Sequence, residues 1–228
     1  MHGRNWTTRI AVSVAAVGVA SVTTMGAAPA TTASAPAGTQ AAPSAYTAPA
    51  APSHAAGVSA GFADVDYETW KRDVSAVTDV ARPYLEQRIS QGSGDKMAIV
   101  LDIDNTSLET HFHPFWEFPT PPIQQTLDLA RYAKSRGVAV YFVTARPGII
   151  YSLTKYNLEK AGFPISGLYV RDLPDLFEEV SKYKTAKRAE IEAKGYKIIA
   201  NIGNTPTDMA GGHAEKTFKL PDYDGALS

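Results

Sequence analysis

The sequence predicts an α/β fold built on a doubly wound, parallel β-sheet. Short apolar runs alternate along the chain with longer segments in which apolar residues recur every three or four positions. The clearest run, 97–101, is apolar throughout, which is typical of a strand buried on both faces of a sheet. Strands that alternate with helices favour parallel pairing, with helices packed on both sides.

The elements are predicted from the amino end onward. A first helix spans 66–90, where Asp66 can act as the N-cap and Pro83 would kink or split the helix. A turn at 91–95 leads into the first strand. Helices follow at 123–136, 149–160 and 181–194, each stopped by a glycine, and strands at 138–143, 168–170, 197–202 and, as a last one, 217–220.

The loop 107–122 follows the first strand directly and is rich in proline and aromatic residues. Its length predicts a small cap or specificity loop and excludes a large cap domain. Two interpretations stay open: the side chains contact an aromatic leaving group, or they form a local hydrophobic cluster that closes the domain. The residues concerned are His111, His113, Phe115, Trp116 and Phe118.

Residues 1–60 differ from the rest of the chain, since their only formal charges are Arg4 and Arg9. These two residues precede the apolar run 10–20, and small residues then offer a cleavage site, so residues 1–30 are predicted to be a secretory signal peptide. A membrane anchor is the alternative, but a span needs about 20 apolar residues. The sequence therefore predicts a secreted, extracellular protein without a membrane span after cleavage.

Residues 31–61 consist mainly of Ala, Pro, Thr and Ser and are predicted to be a disordered linker. The globular domain is then 62–228. The whole chain has 22 Lys+Arg against 23 Asp+Glu, so no nucleic-acid-binding face is indicated. It has no cysteine, which excludes disulfides, thiolate metal sites and a cysteine nucleophile.

Polar residues gather at the predicted carboxyl ends of the strands, where ligands bind in open α/β sheets. Carboxylates, a hydroxyl, an ammonium group and amide oxygens at one sheet edge are typical of a phosphate site with a hard divalent cation. The residues are Asp102 and Asp104 after the first strand, Thr144 and Arg146 after the second, Lys182, Lys184 and Lys187 on the helix before the fourth, and Asn204 and Asp208 after the fourth.

Each of these residue types has a role in phosphoryl chemistry. Asp102 can attack phosphorus to form an aspartyl-phosphate, and Asp104 can protonate the leaving oxygen and then activate water. Thr144 can hydrogen-bond a phosphoryl oxygen, and a lysine can neutralise its charge. The structural alternatives are turn residues for the aspartates, a helix N-cap for Thr144 and a solvated helix face for the lysines.

Four segments resemble the motifs of the haloacid dehalogenase (HAD) superfamily. Residues 97–106 are similar to its first motif, an apolar strand followed by Asp-x-Asp-x-Thr, and Val143-Thr144 to its second. Tyr183-Lys184-Thr185 and 195–203 resemble the third and fourth. The subfamily with the greatest likeness is IIIB, the secreted acid phosphatases related to plant acid phosphatases and vegetative storage proteins, over about residues 62–225.

The resemblance implies a Rossmann-like core, a Mg²⁺ cofactor and hydrolysis of small-molecule phosphomonoesters. Carried over to this chain, Asp102 is the nucleophile, Asp104 the general acid and base, and Thr144 and Lys184 bind phosphate. The metal ligands would be Asp102, Asp104 through its backbone carbonyl, Asn204 and Asp208.

One position departs from the family pattern. The fourth motif usually continues as Gly-Asp-x-x-x-Asp, whereas this chain has Gly203 followed by Asn204. An uncharged amide oxygen should bind Mg²⁺ more weakly than a carboxylate. A catalytically weakened phosphate-binding or storage-type relative on the same fold therefore stays open. Independently of Asn204, a different HAD reaction also stays open, either phosphoryl transfer between small molecules or dehalogenation, although the presence of Asp104 favours phosphoryl chemistry.

Overall fold

The computed structural model describes residues 65–92, 94–114 and 116–228. The predicted signal peptide and linker, 1–61, lie outside these residues and stay predictions. Within the described part of the chain, no helix combines the length and the apolar character needed to cross a bilayer.

The predicted strands all form, and they pair in parallel throughout one five-stranded sheet. They are β1 (Met97–Leu101), β2 (Ala139–Pro147), β3 (Gly167–Arg171), β4 (Lys197–Gly203) and β5 (Thr217–Lys219). Their order in the sheet is β3-β2-β1-β4-β5. In the centre of the sheet, Ile99 lies opposite Val140 on one side and Ala200 on the other.

Four helices match the predicted pattern, and a short fifth helix, which the sequence did not predict, follows β4. They are α1 (Tyr67–Gln91), α2 (Gln124–Ser135), α3 (Tyr151–Ala161), α4 (Val180–Ala193) and the short α5 (Pro206–Met209). Asp66 caps α1 by accepting a hydrogen bond from the Thr69 backbone amide at 2.7 Å. Helix α1 runs through Pro83 without a break, so of the two predicted effects of this proline the split does not occur.

Both faces of the sheet are buried, as the uninterrupted apolar character of β1 predicts. Alternate residues of a strand point to opposite faces. Ile99 and Leu101 belong to the larger core, together with Trp70 of α1, Leu127 of α2 and Leu158 of α3. On the other face, Ala98 and Val100 pack with Tyr183 and Ile191 of α4. Helices on both sides of a parallel sheet confirm the doubly wound α/β fold.

The strand order places a crevice beside the central strand. From β1 the chain moves outward through β2 to β3, and it then crosses to β4 and β5 on the other side of β1. The order therefore reverses between β1 and β4, and ligands in open α/β sheets bind beyond the carboxyl ends of the strands at this point. Asp102, the first residue after β1, donates its backbone N–H to the Ile202 carbonyl of β4 at 3.0 Å.

An ion-pair cluster ties the end of α1 to the residues before β5. The Arg88 guanidinium contacts Glu215 through Nε and Nη2, at 2.6 and 2.8 Å, and also contacts Asp95 at 2.8 Å. The hydrogen bonds from Arg88 lower the pKa of Glu215 below its ordinary value.

Replacing Glu215 with Gln should remove an acid-sensitive contribution to stability. Because the folded-state pKa is lowered, ionised Glu215 stabilises the fold above its ordinary pKa, and this contribution is lost as the pH falls through the lowered value. Urea unfolding across pH should show a wild-type advantage that is constant near neutrality and shrinks in acid. In an Arg88→Met background the same substitution should have no such effect; an unchanged effect would contradict the assignment.

Candidate active site

The predicted nucleophile lies at the carboxyl end of the central strand. Asp102 follows β1 and is buried, with 6% of its surface exposed. A cavity of about 460 Å³ opens here, between the residues that follow β1 and β4, the last part of β2 and the start of α4. Asp102, Asp104, Lys184 and Asn204 all line it, so four of the six predicted site residues share one cavity.

Lys184 joins the ends of β1 and β4. Its Nζ donates to Asp102 Oδ1 at 2.9 Å and to Asp208 Oδ1 at 2.5 Å, and all three side chains are buried. The other two lysines of α4 are placed differently: Lys182 is exposed, and Lys187 pairs with Asp175 at 3.0 Å. Lys184 is therefore the lysine of this run that contacts Asp102 and Asp208.

Asp208 is held by the backbone and side chain at the start of α5. Its Oδ2 accepts hydrogen bonds from the Thr205 backbone amide at 3.0 Å and from the Thr205 hydroxyl at 2.8 Å. The bond from the Thr205 amide, together with a return bond from the Asp208 backbone amide to the Thr205 side chain, forms a capping box. A Cβ at Gly203 would lie 2.3 Å from Asp208 Cγ, so only glycine permits this approach. Both oxygens of Asp208 are engaged, and Asp208 does not line the cavity.

A fully buried arginine fixes the loop behind Asp208. The guanidinium of Arg188 on α4 donates to the backbone carbonyls of Asp208, Ala210 and Gly212. Burial lowers the pKa of Arg188, while the carboxylate of Asp208 opposes this effect. The contacts hold the carbonyls that follow α5, and so they help to orient Asp208 toward Lys184.

The predicted general acid is paired with an arginine. Arg146 donates to both oxygens of Asp104, from Nε at 3.0 Å and from Nη2 at 2.7 Å. This two-pronged geometry is the strongest form of an arginine–carboxylate contact. From the sequence, Arg146 could either contact substrate or pack against the start of the following helix; its pairing with Asp104 was not expected. Its position two residues beyond Thr144, on the strand next to β1, is the signal that leads to it.

The remaining two predicted residues differ in their accessibility. Thr144 is fully buried and does not line the cavity; its hydroxyl accepts the backbone N–H of Arg146 at 3.2 Å. Asn204 lines the cavity, and its Oδ1 accepts a hydrogen bond from the Thr106 hydroxyl at 3.3 Å. Its Nδ2 donates to the backbone carbonyl of Leu227 at 2.9 Å, a contact that the sequence does not foreshadow.

The electrostatic balance of the site is negative. Burial raises the pKa of Asp102 to about 7, and the nearby carboxylate of Asp208 adds to this shift, while Lys184 opposes it. Burial alone would lower the pKa of Lys184, but Asp102 and Asp208 outweigh burial and raise it, so Lys184 is a cation. One lysine thus serves two carboxylates, and a further cation would favour the ionised form of Asp102.

The donor set suits a hard metal ion. Among the residues that the structure describes, no three His, Cys, Asp or Glu side chains are arranged to hold a metal. The cavity is instead lined by Asp102, Asp104 and Asn204, whose side chains carry carboxylate and amide oxygens. Oxygen donors with few charges, completed by water, fit Mg²⁺ better than a transition metal.

Some residues of the loop after β1 pack against the core, and others line the cavity. Phe112 packs against Trp70 and Tyr67, with ring centroids 4.6 and 5.0 Å apart. His113 lies between Glu109 and Glu117. These contacts favour the local cluster as the role of this part of the loop.

Of the aromatic and histidine residues predicted for that loop, His111 lines the cavity. Phe118 stacks on Tyr156 of α3 at 5.7 Å and is partly exposed, as is Trp116. Phe115 lies outside the described residues.

This sheet and these side chains are what the resemblance to the HAD superfamily implies. The chain belongs to subfamily IIIB of that superfamily, described as acid phosphatase, since the subfamily's sequence profile matches residues 21–226. The match extends further toward the amino end than the predicted range of 62–225. The predicted family and fold class are both confirmed.

Relatives of this chain include plant proteins. It is 33% identical over 106 residues to the stem 28 kDa glycoprotein of Glycine max, which is 45% of this chain and 42% of that protein. The chain thus spans about two fifths of the length of the first curated relatives that it matches. It is 25% identical over 173 residues to acid phosphatase 1 of Solanum lycopersicum, covering 67% of this chain and 68% of that protein.

A solved structure has the same fold. The class C acid phosphatase from Bacillus anthracis aligns with a TM-score of 0.55 and 20% sequence identity, over 71% of this chain and 83% of that chain. At this identity the likeness concerns the fold.

Replacing Lys184 with Met should destabilise the protein by about 3–5 kcal/mol, because two buried carboxylates would lose their cation. Urea unfolding at neutral pH measures the loss, and Lys182→Met, an exposed change on the same helix, is the matched control. Because Lys184 opposes the rise in the pKa of Asp102, its removal should raise this pKa further above the wild-type value of about 7. The deficit should therefore narrow as the pH falls from alkaline values toward about 7, where the carboxyl of the variant is already protonated, and should change little below it. A Lys184→Met protein as stable as the control would refute the bridge.

Proposed function

We propose that this chain is a Mg²⁺-dependent acid phosphatase that hydrolyses small phosphomonoesters through an aspartyl-phosphate on Asp102. The observation that carries the proposal is the position of the Asp102 carboxylate, which lines the cavity at the end of β1 with Lys184 Nζ 2.9 Å away. Membership of the acid phosphatase subfamily supports the same reaction.

The reaction proceeds in two displacements at phosphorus. In the first, a carboxylate oxygen of Asp102 forms a bond to phosphorus while the bond to the alcohol oxygen breaks, and Asp104 gives that oxygen its proton. In the second, Asp104 takes a proton from water, whose oxygen displaces Asp102 and releases inorganic phosphate. Lys184 keeps a positive charge beside Asp102 while negative charge builds on the phosphoryl oxygens.

In this mechanism Arg146 can bind either the Asp104 carboxylate or the phosphoryl group of the substrate. In the absence of substrate its guanidinium holds both oxygens of Asp104. A phosphoryl group offers the same fork of two oxygens, so substrate can compete for Arg146 and leave Asp104 free to transfer a proton. The Thr144 hydroxyl accepts the Arg146 backbone N–H and keeps its own proton, which it can donate to a phosphoryl oxygen. Because Thr144 is buried and does not line the cavity, this contact would require a local movement.

Mg²⁺ would be held by Asp102, the backbone carbonyl of Asp104 and the amide oxygen of Asn204, and when bound it neutralises charge on the phosphoryl group. Asp208, whose oxygens hold Lys184 and Thr205, would contribute through water or by orienting the lysine. The raised pKa of Asp102 supports a need for this extra positive charge.

We further propose that the enzyme is secreted. Two arginines followed by an apolar run and small residues support a cleaved signal peptide over residues 1–30. Two relatives carry the word glycoprotein in their names, which supports passage through the secretory route in those proteins.

A second candidate function is a phosphate-binding or storage-type protein with weakened catalysis. Asn204 supports it, because an amide replaces a charged ligand of the metal. The intact pair Asp102 and Asp104 speaks against it, since binding phosphate requires no nucleophile. Hydrolysis of p-nitrophenyl phosphate with Mg²⁺ at mildly acidic pH separates the two.

Substitutions of the two aspartates should impair different steps of the reaction. Asp102→Asn should lower kcat by at least about 1,000-fold, because the attacking group is gone. Asp104→Asn should retain attack on an activated aryl ester but slow the release of phosphate, so that acid-quenched protein carries phosphate on Asp102 by mass spectrometry. Asp79→Asn, on the exposed side of α1, is the control. Turnover by Asp102→Asn at the wild-type rate would contradict the mechanism.

The metal requirement should depend on residue 204. We expect wild type to need a high Mg²⁺ concentration and Asn204→Asp to reach half-maximal activity at about tenfold less, because a carboxylate adds charge to the ligand set. Titration of p-nitrophenyl phosphatase activity with Mg²⁺ measures both. Saturation of wild type at micromolar Mg²⁺, unchanged in the variant, would exclude a role for Asn204 in metal affinity.

A further inference from the structure

The residues after β5 fold back to the catalytic edge of the sheet. We name residues 220–228 the post-β5 segment. Leu220 and Leu227 are both buried in the larger core. Between them, Tyr223, Asp224 and Gly225 have φ values of 48°, 54° and 89°, and three left-handed residues in succession reverse the chain.

This reversal brings one backbone carbonyl between two side-chain amides. The oxygen of Leu227 accepts a hydrogen bond from Nδ2 of Asn105 and another from Nδ2 of Asn204, each at 2.9 Å. Both asparagines are buried, at 6% and 1% exposure. A carbonyl oxygen has two acceptor positions, so the pair of amides satisfies it completely.

The oxygen atoms of these two side-chain amides both accept hydrogen bonds. Oδ1 of Asn105 accepts from the Thr110 hydroxyl at 3.2 Å and from the His111 amide at 2.8 Å. Oδ1 of Asn204 accepts from the Thr106 hydroxyl. An aspartate at either position would keep these acceptor contacts but would turn a carboxylate oxygen toward the Leu227 carbonyl, where no proton could be shared.

Other contacts of the segment show why this anchor matters. Tyr223 and Asp224 are not glycine, and such residues persist in the left-handed region only where their surroundings hold them. The Tyr223 hydroxyl donates to Asp73 on α1 at 2.8 Å, and the Leu220 amide donates to the Gly203 carbonyl at 2.8 Å. These contacts lie at the start and middle of the segment, whereas the asparagines hold its end.

The end of the segment is part of the catalytic cavity. Leu227 and Ser228 line the same space as Asp102 and Asp104. Because the Leu227 carbonyl is bonded to Asn105 and Asn204, residues 227 and 228 lie beside the ends of β1 and β4 and bound the cavity there.

We propose that Asn105 and Asn204 anchor the Leu227 carbonyl and thereby hold the post-β5 segment as a wall that limits the size of the alcohol group of the substrate. Asn204 is then a specificity-positioning residue, which accounts for an amide where the family pattern has an acid. The selectivity rests on the proposed phosphatase function, whereas the anchor is a property of the fold.

Hydrogen–deuterium exchange on metal-free protein tests the anchor without any catalysis. In Asn105→Asp and in Asn204→Asp, the peptide that contains residues 222–228 should exchange about tenfold faster than in wild type, because a buried carbonyl loses a donor. Asn201→Asp is the matched control. Asn201 is buried on β4, and its amide donates to the Asp208 carbonyl at 2.7 Å, away from the segment.

Substrate selectivity tests the wall. We expect the ratio of kcat/KM for 1-naphthyl phosphate to that for p-nitrophenyl phosphate, measured at saturating Mg²⁺, to rise about tenfold in both Asn105→Asp and Asn204→Asp. A loss of rate that the added charge causes equally for both substrates does not change this ratio. Asn201→Asp should keep the wild-type ratio.

Each outcome bears on the proposal separately. Unchanged exchange in the two anchor variants, or equal acceleration in Asn201→Asp, overturns the anchor. Faster exchange with an unchanged ratio overturns the wall. Wild type provides a reading that needs no variant, since exchange of 222–228 at the rate of an unstructured chain also overturns the anchor. A wild-type protein without turnover but with the expected exchange pattern refutes the proposed function and leaves the anchor intact.

Discussion

The buried ammonium of Lys184 between two carboxylates is the interaction on which the site depends. Asp102 comes from the end of β1 and Asp208 from the helix after β4, so a single cation fastens the two strands that flank the crevice. Two buried carboxylates this close would repel each other strongly without it. The packing of α4 on the sheet and the capping box at Asp208 both serve to deliver these groups to one point.

Much of this arrangement could be predicted from the sequence, because parallel strands bring their carboxyl ends to one edge. The uninterrupted apolar run of β1 followed by Asp102 and Asp104 identified the strand and the acids together. Burial of Lys184 follows from its place beside Tyr183 on the inner face of α4, although three lysines in this run made the choice ambiguous. The parallel pairing followed from the alternation of elements, and β5 was expected from residues 217–220 as a last strand.

What the sequence could not predict are contacts between residues far apart in the chain. The sequence around Asp104 does not indicate that Arg146 donates hydrogen bonds to both of its carboxylate oxygens, since this contact depends on β2 lying next to β1. The contact of Asn105 with Leu227 joins residues 122 positions apart, and no local pattern encodes it.

That last contact also has a consequence for biosynthesis. Residues from the first strand of the sheet and from beyond its last strand enclose the same cavity. An amino-terminal fragment emerging from the ribosome can fold β1 against its neighbours, yet it lacks a side of the pocket until residue 227 has been added. Completion of this cavity therefore requires the chain through residue 227, so a fragment that stops after β4 carries Asp102 and Lys184 without this side of the pocket.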